Sequence, residues 1–331
     1  MLLNKNIKII FNYILGPLVF LLLAYSIFHQ ISEQENWQSS LTQIKSAVTG
    51  PQQWKIWLVI LLMLANWGLE AGKWKLSVMK LENISFSKAF KAVLTGTTIA
   101  SFTPNRIGDY LGRMLYIGEG KRIQSIPLTV ICSMAQMLVT IITGIAGVFY
   151  LQNYLHTQRL EDHQPMQLGL NILSWLTALL FVTITFIYFR LSAVVRFLEK
   201  RGFGKYLAPV RVLKDVKLTI LFNILSLSFA RYLVFILQYY LLFSLFGVSL
   251  TWVQTFAGIS TMFLVMAFVP TFTFLTDLGL RWESSIQIVR LFSSNTTGIF
   301  AVSFGIWMIN LIIPALIGSL LILRIKLFRG K

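Results

Sequence analysis

The feature that most constrains this chain is a series of apolar runs of membrane length, parted by short basic stretches. A helix rises 1.5 Å per residue, so about 20 apolar residues are needed to cross a hydrocarbon core of ~30 Å. Runs of that length occur at about 10–29, 55–78, 123–151, 168–189, 218–246 and 299–323. With 56% hydrophobic and only 12% charged residues, a soluble fold of 331 residues could not hide this apolar surface. Backbone groups inside a bilayer must pair within their own segment, which leaves the helix as the spanning unit for runs of this kind. The sequence therefore predicts an all-α polytopic membrane protein with about six transmembrane helices in a single integral domain, residues 1–331.

Charge placement predicts the topology. The net charge of +17 comes from Lys and Arg that fall mostly between the spans, as the positive-inside rule requires. Met1 to Lys8 is basic, and no small-x-small cleavage pattern closes the first run before Gln30, so that run reads as an anchor. Lys73, Lys75, Lys80, Lys88 and Lys91 mark one cytoplasmic zone. Residues 190–217 form a second, the basic connector, with Arg190, Arg196, Lys200, Arg201, Lys205, Arg211, Lys214 and Lys217 against Glu199 and Asp215. Arg324, Lys326, Arg329 and Lys331 close the chain. These marks predict a multi-pass protein of the cell inner (plasma) membrane with both termini cytoplasmic. They also argue against nucleic acid as a partner, since no basic stripe is interleaved with exposed aromatics. The single cysteine, Cys132, rules out a disulfide framework or a Cys-based zinc site.

Two apolar segments are broken by proline. The first, about 89–118, is split at Pro104 and has basic residues on both sides. Arms of about 14 residues reach roughly 20 Å, short of a full crossing, so a re-entrant helical hairpin is expected. The second, about 254–285, is split at Pro270 and by parity starts and ends outside. Residues 1–151 and 168–323 then become two half-repeats, each with three crossings and one re-entrant hairpin, the second inverted relative to the first. Local echoes support the pairing: Thr95-Gly96-Thr97-Thr98 precedes Pro104, and Ala257-Gly258-Ile259-Ser260-Thr261 precedes Pro270. Each half also places an acid four residues before an arginine, Asp109 to Arg113 and Asp277 to Arg281, on one helical face.

Ionisable residues at membrane depth are costly and mark candidate sites. The first island, Thr103-Pro104-Asn105-Arg106-Ile107-Gly108-Asp109 followed by Gly112-Arg113, is suited to an anion. A broken helix would offer free N–H groups there, Thr103 and Asn105 as caps, and Gly108 and Gly112 for close backbone approach to a phosphate. Arg106 and Arg113 would add charge. The competing reading is a tight turn in which Asp109 and Arg113 neutralise each other. Arg231 lies about 13 residues from either end of its span, too deep to snorkel, and should pair with Asp277, Glu283 or a lipid phosphate. Glu283 alternatively faces solvent near the outer end. Glu70, with Lys73 three residues on, reads as a local ion pair.

No catalytic constellation is recognisable, so no enzymatic activity, cofactor or metal is expected. His156 and His163, with Glu161 and Asp162, match no zinc template. A membrane-embedded transferase using a lipid or polyprenyl-phosphate substrate is one alternative, and it would need an outer acid such as Glu33, Glu35 or Glu161 beside the groove. A noncatalytic accessory protein is the other.

The run Thr95 to Arg113, centred on Pro104-Asn105-Arg106-Ile107-Gly108-Asp109, resembles the first proline-glycine signature of the lysylphosphatidylglycerol synthase transmembrane-region, or flippase-like, family. Pro270 to Glu283 is similar to its later signature, although Thr271-Phe272-Thr273-Phe274 stands where a glycine-rich run is expected. The resemblance implies an inner-membrane protein related to the lipid-translocating part of aminoacyl-phosphatidylglycerol synthases. No soluble aminoacyl-transferase domain is present in this sequence, so synthase activity is not implied. The expected partners are membrane phospholipids or polyprenyl-phosphate lipids; the oligomeric state is left open.

Overall fold

A computed structural model describes residues 42, 45–46, 49–157, 164–201, 207–269 and 274–322. The first apolar run, Glu33, Glu35, Glu161, Asp162, His163, Pro270 and the basic C-terminal cluster lie outside the described residues. Among those described, secondary structure is helical and no strand occurs. Five helices are long and apolar enough to cross a membrane: Trp54–Val78, Glu119–Thr157, Met166–Phe189, Leu218–Leu245 and Thr296–Ile322.

In chain order the helices are α1 (Trp54–Val78), α2 (Phe86–Ala100), α3 (Gly108–Met114), α4 (Arg122–Thr157), α5 (Gln164–Phe189), α6 (Leu191–Lys200), α7 (Leu218–Leu245), α8 (Trp252–Phe268), α9 (Phe274–Val289), α10 (Thr296–Trp307) and α11 (Ile313–Ile322). Capping residues set several starts. Ser85 accepts a hydrogen bond from the Lys88 amide to begin α2, Thr251 and Gln254 form a capping box at α8, and the Asn295 side chain accepts from the Gly298 amide at α10. A π turn, Met308–Ile312, joins α10 to α11. Pro314 has no N–H to give to the carbonyl of Asn310, which accounts for the widened turn.

The surface chemistry fits a lipid solvent. On α5, Leu168, Ile172, Trp175, Leu179, Val182 and Phe186 repeat every three or four residues and are all exposed. A water-soluble protein would turn such a stripe inward. The connector, by contrast, is built for an aqueous boundary. Short α6 buries Leu191 and Val195, and Glu199, one turn beyond Val195, pairs with Arg211 and Lys214.

The interior is organised around α1 and α7. Lys55 meets Ser244, the Gln238 amide donates to the Val59 carbonyl, and Arg231 meets Asn66, so the two helices run antiparallel. Each half then sends its broken segment to the other half. In the first, α2 packs on α11, where the Thr98 hydroxyl donates to the Ala315 carbonyl at 2.7 Å. Gly318 sits over the Leu94 carbonyl and Thr98 hydroxyl with no room for a Cβ. In the second, α8 packs on α4, and Gly147 sits in the same way over the Ala257 carbonyl and Thr261 hydroxyl. The contact is made twice, with the roles of the halves exchanged.

One expectation needs correction. The first broken segment does not have two arms of about 14 residues: α2 has 15 and α3 only 7. Four residues beyond the end of α3 the chain is tied at Gly118, whose amide donates to the Glu82 carboxylate at 2.8 Å. The arms of the second segment, α8 and α9, have 17 and 16 residues.

Candidate functional site

The turn between α2 and α3 brings the first island beside α1, α4 and α7. Gly112 lies against Gly96, and a Cβ on Gly112 would fall 2.5 Å from the Gly96 Cα. This close crossing aims Arg113 at α1 and sets Asp109 beside it. Between α2 and α3, Asn105 and Arg106 both adopt left-handed backbone, φ 51° and 58°. Two consecutive non-glycine residues in that region are strained, and such strain persists only where the surroundings enforce it.

At the centre is Glu70. Its Oε1 accepts from Arg113 Nη1 at 2.9 Å, and its Oε2 accepts from Lys73 Nζ at 2.7 Å and Arg231 Nη1 at 2.8 Å. Asp109 holds the other edge of Arg113 through two bonds, to Nε at 2.9 Å and Nη2 at 2.7 Å. The side chains of Glu70 and Lys73 are only 5% and 1% exposed, so this is an ion network removed from solvent. Unpaired, any one of these groups would carry a desolvation cost of several kcal/mol, which explains why each cation reaches an acid. Arg231 also donates through Nε to Asn66 and lies over the rings of Trp67 and Phe235, 5.6 and 5.5 Å from their centroids. Asn66 in turn donates to Asn310 in the π turn, so the polar network crosses from α1 to the last helix.

These groups line a cavity of ≈ 300 Å³ walled by Trp67, Glu70 and Lys73 of α1, Thr97 of α2, Arg106, Asp109 and Arg113 of the island, Gln136 and Thr140 of α4, and Arg231 of α7. Four cations and two carboxylates face it, an excess of two positive charges. Such an excess in a largely apolar protein attracts an anion.

Residues 13–318 match the family described as Lysylphosphatidylglycerol synthase TM region. The chain belongs to this family. No curated protein and no solved structure matches it. The match to the lysylphosphatidylglycerol synthase TM region takes in both broken segments and every cavity residue, so the cavity lies within the family's shared region.

Several expectations change with the structure. Arg231 pairs with Glu70, and neither Asp277 nor Glu283 reaches it. Asp277 instead pairs with Arg281 at 3.1 Å, and Arg281 Nη1 donates to the Tyr239 hydroxyl at 2.9 Å. Glu283 is exposed and accepts from Gln287. Gly108 and Gly112 do not open the backbone to a phosphate, because the first abuts Ile99 and Ala100 and the second abuts Gly96. Thr103 is not the N-cap of α3, which is Ile107, but its Oγ1 accepts from the Gly108 amide at 2.7 Å and so removes one of the free donors of a helix only 7 residues long. Asn105 does not cap α3, and Pro104 opens the one-turn helix Pro104–Arg106. Anion chemistry here therefore belongs to guanidinium groups and not to the end of a helix. Glu70 was legible only as the partner of Lys73; Arg113 and Arg231 lie 43 and 161 residues away from it.

Proposed function

We propose that this protein is a flippase-like lipid translocator, or lipid-binding transporter, of the inner membrane, acting on an anionic or phosphate-bearing lipid. The observation that supports this reading is the cation excess on the cavity formed by α1, α4, α7 and the first island. A phosphate headgroup would sit between Arg106 and Arg231 while its hydrocarbon stayed in the bilayer. The shared carboxylate of Glu70 makes this an exchangeable arrangement, since Glu70 gives up only one of its three cations when Arg231 turns to a phosphate. In the same reading the two broken segments are opposed re-entrant hairpins, related by the inverted repeat, with both termini cytoplasmic.

The test is reconstitution in vesicles carrying a trace of headgroup-labelled anionic lipid, with accessibility to a membrane-impermeant quencher followed from outside. The protein should raise the rate at which the protected pool becomes accessible. Equal rates with and without protein, across phosphatidylglycerol, phosphatidate and polyprenyl phosphate, would refute translocation.

A further inference from the structure

Resting on the proposed function, we infer that the headgroup recognised is a doubly charged lipid phosphomonoester, in preference to a singly charged phosphodiester. The inference comes from which cations in the cavity are already matched. Lys73 is buried and held by Glu70. Arg113 spends three N–H groups on Asp109 and Glu70. That uses both carboxylates on the cavity wall. Arg231 has only a share of the Glu70 oxygen that also holds Lys73. Arg106 makes no ion pair among the described residues.

Two positive charges are thus left facing one space, Arg231 from within the helix bundle and Arg106 from its exposed rim. Like charges brought together repel unless an anion joins them. A phosphodiester carries one negative charge and would leave one guanidinium unmatched. A phosphomonoester carries close to two above its second pKa, which is about 6, and matches both. Its three terminal oxygens also allow each planar guanidinium a separate forked contact. The strain at Arg106 fits the same role, because its left-handed backbone holds at the cavity a charge that makes no ion pair among the described residues. The repeat-related position offers no second site, since Arg281 is satisfied by Asp277 and Tyr239. One such headgroup per chain follows. The volume, ≈ 300 Å³, lies at the small end for ligand cavities, which suits a compact terminal phosphate.

The experiment is equilibrium binding to the purified full chain in phosphatidylcholine nanodiscs, titrated with phosphatidate, phosphatidylglycerol or inorganic phosphate. Phosphatidate should bind at least tenfold more tightly than phosphatidylglycerol at pH 8, and the ratio should fall toward one as pH drops through the second phosphate pKa. In Arg106→Gln, which removes one of the two guanidinium groups proposed to hold the headgroup, phosphatidate should lose at least tenfold more affinity at pH 8 than phosphatidylglycerol does, so that the preference collapses. Equal binding of the two lipids would overturn the charge assignment and leave the anionic-lipid reading standing. Binding of neither above the phosphatidylcholine background would overturn both. Inorganic phosphate binding as tightly as phosphatidate would overturn the assignment to a lipid.

Discussion

Glu70 is the residue on which the interior charge balance turns. One carboxylate meets three cations drawn from α1, α3 and α7, so it ties the first island to both central helices. Removing its charge while keeping its shape, in Glu70→Gln, leaves those cations short of a buried counter-charge. Breaking one partner out of a buried ion network costs about 3–5 kcal/mol. A clear drop in the thermal unfolding midpoint in detergent is expected, and combining Glu70→Gln with Lys73→Met should recover part of it by removing one stranded charge. The sequence made the Glu70–Lys73 pair and the Asp109–Arg113 pair legible, because i,i+3 and i,i+4 spacings are local properties of a helix. It could not show that the two pairs fuse, since that depends on how α1, α3 and α7 cross. Arg231 was legible as buried and in need of a partner, but the nearer acids in sequence proved to be committed elsewhere.

At the scale of elements, the first hairpin is held by the absence of side chains. Gly112→Ala would drive a Cβ to 2.5 Å from the Gly96 Cα, and since the obstacle is backbone, the arms must part. Overpacking of this kind costs roughly 1–3 kcal/mol, and displacement of Asp109 and Arg113 should add to it. Gly72→Ala is the matched control: no atom lies within 4 Å of its new Cβ, and helix propensity alone should stabilise α1 by about 0.5–1 kcal/mol. Opposite shifts in unfolding midpoint are expected for the two variants. The hairpin's exit makes a pH prediction. The Lys88 ammonium and the Gly118 amide hold the Glu82 carboxyl below its ordinary value. A lowered folded-state pKa stabilises the docked exit above the ordinary carboxylate pKa, and the contribution is lost as pH falls through the lowered one. Hydrogen exchange at Gly118 should therefore lose protection in that acid window, and Glu82→Gln should abolish the dependence. Proline breaks and short arms announced a hairpin in the sequence, but the Gly118–Glu82 contact that ties down the chain beyond the 7-residue α3 joins residues 36 apart and could not be read locally.

Across the whole molecule, the membrane class and family are plain in the sequence, because span length and hydropathy are bulk properties. The reciprocal docking of Gly147 and Gly318 is a tertiary fact that the faint echoes at Thr95–Thr98 and Ala257–Thr261 only hinted at. If the halves are inverted, cysteines placed at exposed Ser249 and Ser294 should react with an impermeant reagent from one face, and one at Glu119 from the other, in a Cys132→Ser background. The central claim, that the cavity beneath Arg231 is the path of a lipid headgroup, is tested most directly by plugging it. Thr140 lines the cavity, while Trp175 lies on the exposed apolar face of α5. In the Cys132→Ser background, a bulky maleimide attached to Thr140→Cys should abolish headgroup translocation in vesicles, while the same label on Trp175→Cys should leave it within twofold of the unlabelled protein. Full translocation with Thr140→Cys quantitatively labelled would contradict the account.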